Sequence, residues 1–222
     1  MEKIKIKLVG KSEVGKTCII NQYINQNFDF NYMTTIAMDK SKKEIEIDNT
    51  NLNLEIWDTA GQEQYRATNK IFMKGAKIAL LVYDITNEKS FEQINYWHET
   101  VKNMNKENII FCLVGNKNDL YEQRAIEEEK GKKFAEEKKM LFFESSAMDY
   151  ESIETIFKGV CQEYLNLVKE EEKKINSMKE EERKKMEEER KTEKNIIVGE
   201  DEVGGNDVGG NKVDRENSGC VC

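Results

Sequence analysis

Between Ile4 and Val168 short apolar runs alternate with amphipathic stretches, an order that marks a sheet covered by helices on both faces. Residues 4–10 read as a buried strand running into a glycine loop, and residues 16–25 as the helix that follows it. Residues 43–48 and 51–58 alternate with a period of two around Asp48-Asn49-Thr50-Asn51, which predicts an antiparallel hairpin. Three more strands are predicted at 78–84, 109–115 and 140–144, with helices over 88–104 and 126–139 between them. The last core helix is predicted over 150–168, where Ile153, Ile156, Phe157, Val160, Tyr164 and Leu167 recur at three- and four-residue steps.

After Val168 the pattern changes. Ile175, Met178 and Met186 are the apolar residues before Ile196, too sparse for a coiled-coil seam. Glu and Lys or Arg recur four residues apart, so residues 169–195 are expected to form a solvated helix held by ion pairs in preference to a dimeric coil. Its length would be roughly 40 Å. Gly204-Gly205 and Gly209-Gly210, set among Asn and Asp, predict a flexible tail over 196–222. The chain therefore divides into a core domain over 1–168, a charged extension and a tail.

Composition narrows the function. The chain has 222 residues and a formal net charge of -8, without a basic stripe, which argues against nucleic-acid binding. Its five cysteines (Cys18, Cys112, Cys161, Cys220 and Cys222) follow no zinc or disulfide spacing, and the first three are expected to be reduced thiols inside apolar runs. No apolar N-terminal segment and no run of about 18 apolar residues is present, so a protein kept in the cytosol is expected. The absence of proline and the abundance of asparagine read as a compositional bias without functional content.

Chemistry enters at Gly10-Lys11-Ser12-Glu13-Val14-Gly15-Lys16-Thr17, which satisfies G-x-x-x-x-G-K-[ST] between a predicted strand and a predicted helix, the context this phosphate loop requires. Backbone N–H groups of such a loop and of the helix N-terminus wrap phosphates, Lys16 adds positive charge on the β and γ groups, and Thr17 ligates Mg²⁺. Asp58, at the end of the strand that finishes Ile56-Trp57, is placed to hold the same ion, and Asp58-Thr59-Ala60-Gly61-Gln62-Glu63 forms a second phosphate element. Asn116-Lys117-Asn118-Asp119 and Ser145-Ser146-Ala147 each follow a predicted strand.

In this order these motifs resemble the small GTPases of the Ras superfamily over about 165 residues. The resemblance implies a three-layer α/β P-loop NTPase fold with a six-stranded, mostly parallel sheet and one antiparallel strand. It implies that GTP or GDP is bound with Mg²⁺, and that Ser12, Glu13, Val14, Gly15, Lys16, Thr17 and Cys18 surround the phosphates. It further implies that Gly61 gives an N–H to the γ-phosphate, that Gln62 orients the attacking water, and that Lys16 and Thr35 complete the catalytic group. Thr35, in Tyr32-Met33-Thr34-Thr35-Ile36, would bind Mg²⁺ beside Thr17 and Asp58 only in the GTP state. Asp119 would accept hydrogen bonds from guanine N1 and N2, Asn116 and Lys117 would shape the pocket, and Ser146, Ala147 and Met148 would close it, with the Ala147 N–H on guanine O6. Phe28 matches the aromatic that packs on the base, against the plainer reading of a core residue. Adenine lacks the donor pair, so GTP is expected over ATP.

Within the superfamily the chain is similar to the Rab branch. Trp57 to Glu63, Gly75-Ala76, Val82 to Thr86, Ser90-Phe91, Trp97, Arg124, Glu128, Gly131 and Ala135 carry that likeness. Cys220-Val221-Cys222 resembles the Rab C-x-C signal, implying geranylgeranyl groups on both cysteines and a stable two-chain anchor. The implied role is a GTP-hydrolysing switch in vesicle-mediated traffic, on the cytoplasmic face of an intracellular or plasma membrane and cycling with the cytosol. Its implied partners are an exchange factor, a GTPase-activating protein, a GDP dissociation inhibitor or Rab escort protein, and effectors. A hydrolysis-poor tether and a Ras- or Rho-like signalling GTPase are the competing readings.

Several positions depart from the Rab pattern. Lys40 replaces one aromatic of the effector-facing triad, leaving Trp57 and Phe72, and Met148 stands where the family has lysine. Glu13 puts a carboxylate in the phosphate loop, which either weakens nucleotide binding and speeds exchange or points into solvent without effect. The charged extension is either a spacer or a docking surface, and lone His98 reads as an ordinary surface or packing residue.

Overall fold

The computed structural model describes residues 3–28, 39–58, 73–105 and 108–200, with side chains as far as Arg190. Six strands, β1 (Lys3–Val9), β2 (Asp39–Ile47), β3 (Thr50–Asp58), β4 (Ile78–Asp84), β5 (Ile110–Asn116) and β6 (Leu141–Ser145), form one sheet in the order β2-β3-β1-β4-β5-β6. Only β2 runs antiparallel to its neighbour. Among the described residues there are five α-helices, α1 (Lys16–Asn25), α2 (Glu88–Glu92), α3 (Ile94–Met104), α4 (Glu128–Glu137) and α5 (Tyr150–Glu200), the last as far as residue 169 in the same unit as the sheet. This is the six-stranded, mostly parallel sheet with one antiparallel strand that the resemblance implies.

The sheet is buried on both faces because its central strands carry apolar side chains in both directions. All seven residues of β4 are buried. On one face Ile6, Leu8, Leu80, Val82 and Val114 pack against Ile19 and Tyr23 of α1 and Ile153, Phe157 and Val160 of α5. Tyr23 and Phe157 stack with centroids 3.8 Å apart. On the other face Val9, Leu81, Tyr83 and Leu113 meet Phe91, Ile94, Trp97 and Val101 of α2 and α3 and Ala135 of α4.

Three boundaries differ from the sequence reading. Strand β2 starts at Asp39, four residues earlier than the alternation suggests, because Lys40 and Lys42 face solvent while their backbone pairs with Trp57 and Glu55. The helix expected over 88–104 is two helices with Gln93 between them. The Ser90 hydroxyl accepts from the Asp84 N–H and donates to the Asn87 carbonyl at 2.6 Å, which ties α2 to the end of β4 and leaves Gln93 to take up the bend. Helix α5 continues through the charged stretch to Glu200. The chain separates into two units, 1–169 and 170–222. In the second, every described side chain through Arg190 is exposed.

Candidate functional site

Five parallel strands end at one edge of the sheet, and their last residues are the ones the motifs single out: Val9 before the glycine loop, Asp58, Asp84, Asn116 and Ser145. Strand β1 lies between β3 and β4, so the chain leaves it to opposite sides, which opens a crevice at the carboxyl ends of the strands where ligands of α/β proteins sit.

The loop 10–15 turns back on itself through left-handed backbone, with Gly10 at φ 152°, Glu13 at φ 67° and Gly15 at φ 95°. Gly15 caps α1, and a Cβ there would collide with the Asn116 side-chain amide. Among the described residues no side chain caps α1 and no acidic residue lies in its first turn, so its positive dipole end suits an anion. Val14 is buried, Ser12, Thr17 and Cys18 are half-buried, and the Glu13 side chain is exposed.

Lys16 is 5% exposed. Its ammonium donates to the Gly10 carbonyl at 3.0 Å and the Lys11 carbonyl at 2.8 Å, so it lies across the mouth of the loop. Burial lowers its pKa to about 8, against the opposing pull of the Asp58 carboxylate. A charge kept at such desolvation cost suits a polyphosphate. Thr17 Oγ1 donates to Asp58 Oδ2 at 2.5 Å, which brings a hydroxyl and a buried carboxylate together across 41 residues of chain. Oxygen ligands of this kind suit Mg²⁺, which takes one or two protein groups and completes its shell with phosphate and water. Among the described residues no cluster of three His, Cys, Asp or Glu could hold a metal by itself.

On the other side of the crevice Asn116 and Ser145 are register partners at the ends of β5 and β6, both fully buried. The Asn116 amide donates to the Val14 carbonyl at 2.8 Å, tying this side to the phosphate loop. Its Oδ1 and the Ser145 hydroxyl are buried without a hydrogen-bond partner among the described residues. Lys117 adopts φ 67° and its ammonium lies 2.7 Å from the Asp84 carboxylate, a pairing the sequence reading missed although Asp84, like Asp58, ends a strand. Asp119 is exposed on a short 3-10 helix (Asn118–Gln123). Ser146 and Ala147 are buried and Met148 is exposed, its carbonyl accepting from Gln22 Nε2 at 3.4 Å. Phe28 is half-buried against the α1 and α5 core.

Thr35, Gly61, Gln62, Phe72, Cys220 and Cys222 lie outside the described residues. Lys40 is within them: its ammonium lies 3.7 Å from Glu55 and 5.4 Å from the centre of the Trp57 ring, which Lys7 approaches at 4.4 Å. His98 is a packing residue, 4.5 Å from the ring of Phe111. Cys112 and Cys161 are buried and Cys18 half-buried, all three as free thiols.

A model of the Ras family matches residues 5–166. The Ras-related protein RabQ of Dictyostelium discoideum is 42% identical over 172 residues, covering 77% of this chain and 84% of that protein. The Ras-related protein RABA4a of Arabidopsis thaliana is 39% identical over 166 residues, covering 75% of this chain and 74% of its own. The GTP-binding protein ypt3 of Schizosaccharomyces pombe is 38% identical over 164 residues, 74% of this chain and 77% of that one.

Proposed function

The chain belongs to the Rab-type small GTPases of the Ras family, enzymes that convert GTP to GDP and phosphate, and from that premise we propose a nucleotide-state switch in vesicle-mediated membrane traffic. The observation that carries this reading is the meeting, at one sheet edge, of a buried lysine, a hydroxyl–carboxylate pair and a buried amide with an open acceptor. Phosphate, metal and base each have a complementary group there.

In this reading the N–H groups of residues 13–18 and the N-terminus of α1 bind the β-phosphate, and Lys16 bridges the β and γ groups. Thr17 and Asp58, joined in the GTP state by Thr35, would hold Mg²⁺, which would supply neutralisation of charge developing on the phosphate oxygens. Gln62 orients the attacking water and the Gly61 N–H contacts the γ-phosphate. Asp119 accepts from guanine N1 and N2, with Asn116, Lys117, Ser146, Ala147 and Met148 around the base. Loss of the γ-phosphate releases the segment bearing Thr35, and effectors read the difference. Hydrolysis without a partner is slow, and a GTPase-activating protein accelerates it; an exchange factor reloads the site.

Cys220 and Cys222 carry geranylgeranyl chains that anchor the protein to a membrane and are shielded in the cytosol by a GDP dissociation inhibitor or escort protein. Among the described residues no helix is long and apolar enough to cross a membrane. The extension beyond residue 168 acts as a spacer between the GTPase domain and its anchor, a reading supported by the exposure of its side chains.

Single-turnover hydrolysis of bound GTP tests the core of the proposal. Wild-type protein should release phosphate slowly with Mg²⁺, and at least tenfold more slowly after Gln62→Leu or with EDTA. Phosphate release that ignores both changes removes the proposed mechanism. Localising the tagged chain with and without Cys220 and Cys222 tests the anchor, since a cytosolic double variant is expected and unchanged membrane association contradicts it.

A further inference from the structure

We infer that Arg124 and Glu144 form a positioning clamp that aligns the two guanine-reading loops, and that base discrimination depends on it; the inference rests on the guanine reading of Asp119 proposed above. The two loops are 116–119, from the last residue of β5, and 145–147, from the last residue of β6. Asp119 sits on a 3-10 helix, a form with poor hydrogen-bond geometry, whose Leu120 departs from helical backbone at φ -90°, ψ 38°. Among the described residues none hydrogen-bonds its carboxylate, so its aim comes from how the ends of its loop are tied.

The entry to that loop is tied through Asn116, whose carbonyl accepts from the Ile85 N–H at 3.1 Å, and through the Lys117 ion pair with Asp84. The exit is tied by Arg124. Its Nη1 donates to Glu144 Oε1 and its Nη2 to Glu144 Oε2, both at 2.7 Å, and Nη1 also donates to the Ile126 carbonyl at 3.0 Å. The next two N–H groups, of Ala125 and Ile126, both donate to the Ile85 carbonyl at 2.9 Å.

Glu144 immediately precedes Ser145, the first residue of the second loop, so the forked contact fixes the exit of one loop against the entry of the other. Both side chains are largely sheltered, at 19% and 11% exposure, and a bidentate pair in such a place holds direction as well as distance. Space for it is provided by Gly115, the register partner of Glu144, where a Cβ would lie 3.2 Å from Glu144 Cγ and 2.7 Å from the Tyr83 hydroxyl oxygen. Arg124 touches neither phosphate nor base in this reading; it acts through Asp119 and the 145–147 loop.

The test compares release of GDP and IDP from full-length protein, because inosine lacks the 2-amino group that reports on Asp119. Wild type should hold GDP at least about tenfold longer than IDP. Arg124→Met should speed GDP release by about tenfold and IDP release much less, compressing the ratio, while single-turnover hydrolysis of bound GTP keeps its rate. Glu144→Gln should act in the same direction, and Arg124→Lys, which keeps charge but not the fork, should fall between. These two milder variants carry the test if Arg124→Met does not fold. Melting temperatures are measured alongside: a clamp that serves stability alone would speed GDP and IDP release by the same factor, and that result overturns the inference. Unchanged GDP release in all three variants does so too. A wild type that does not prefer GDP over IDP overturns the guanine reading itself, and with it this one.

Discussion

Glu13 holds a backbone conformation, φ 67°, that glycine enters freely and an L side chain enters at a cost of about 1 kcal/mol. Its side chain faces solvent, so the carboxylate is hydrated, yet it stays in a loop whose other groups attract phosphate. Both effects oppose the nucleotide-bound loop. Glu13→Gly should therefore slow GDP release several-fold and raise the melting temperature, and equal release rates would show the substitution to be silent. Lys7 poses a second problem at this scale, as it is 3% exposed and lies beside the Trp57 ring. Burial, reinforced by Lys5 and opposed by Glu55, lowers its pKa to about 8 from 10.5. Between those values the unfolded chain binds more protons than the native one, so this position's burden on stability is full below about pH 8 and fades as pH rises. Lys7→Met should accordingly be more stable than wild type to urea at pH 7.5, with the gap narrowing by pH 9.5; a gap independent of pH would contradict this. The lysine was visible in the sequence, but its burial was not, because strand alternation alone does not tell which face is covered.

The hairpin of β2 and β3 shows how local chemistry makes an element readable. Asp48 and Asn49 take φ 50° and 59°, both left-handed as a two-residue type I′ turn demands, and Asp and Asn are among the residues that tolerate it. Asn49→Val should cost about 1 kcal/mol or more by denaturant titration, while Asn49→Gly should leave stability unchanged or slightly higher. The break at Gln93 was not readable in this way, since it depends on a hydrogen bond from β4 to Ser90, a tertiary event that periodicity does not encode. The charged part of α5 lies between these cases. Glu180 and Lys184 pair there at 4.0 Å, and an exposed pair of this kind is worth only a few tenths of a kcal/mol, so such pairs would support the helix only in sum. Ellipticity at 222 nm that the full chain gains over a chain ending at 169 should fall as NaCl rises to about 1 M, where exposed pairs are screened. Sedimentation should find a monomer, and a salt-resistant dimer would favour the coiled-coil alternative.

At the scale of the whole molecule, most of the candidate site was legible because its residues fall at or beside strand ends, where a short motif and the strand before it announce each other. Lys16, Thr17, Asp58, Asn116 and Ser146 could each be named from that pairing. What escaped was the support behind them, Asp84 under Lys117 and Glu144 under Arg124, because those contacts join segments 20 or more residues apart without a motif of their own. The order β2-β3-β1-β4-β5-β6 has one more consequence. Asp58, which ends β3, lies on one side of the phosphate loop, and Asn116 and Ser145, which end β5 and β6, lie on the other. If the proposed reading holds, a pocket altered beyond Asn116 to accept an unnatural purine would leave Asp58 and Lys16 in place, so such a chain could be addressed by a synthetic nucleotide alone.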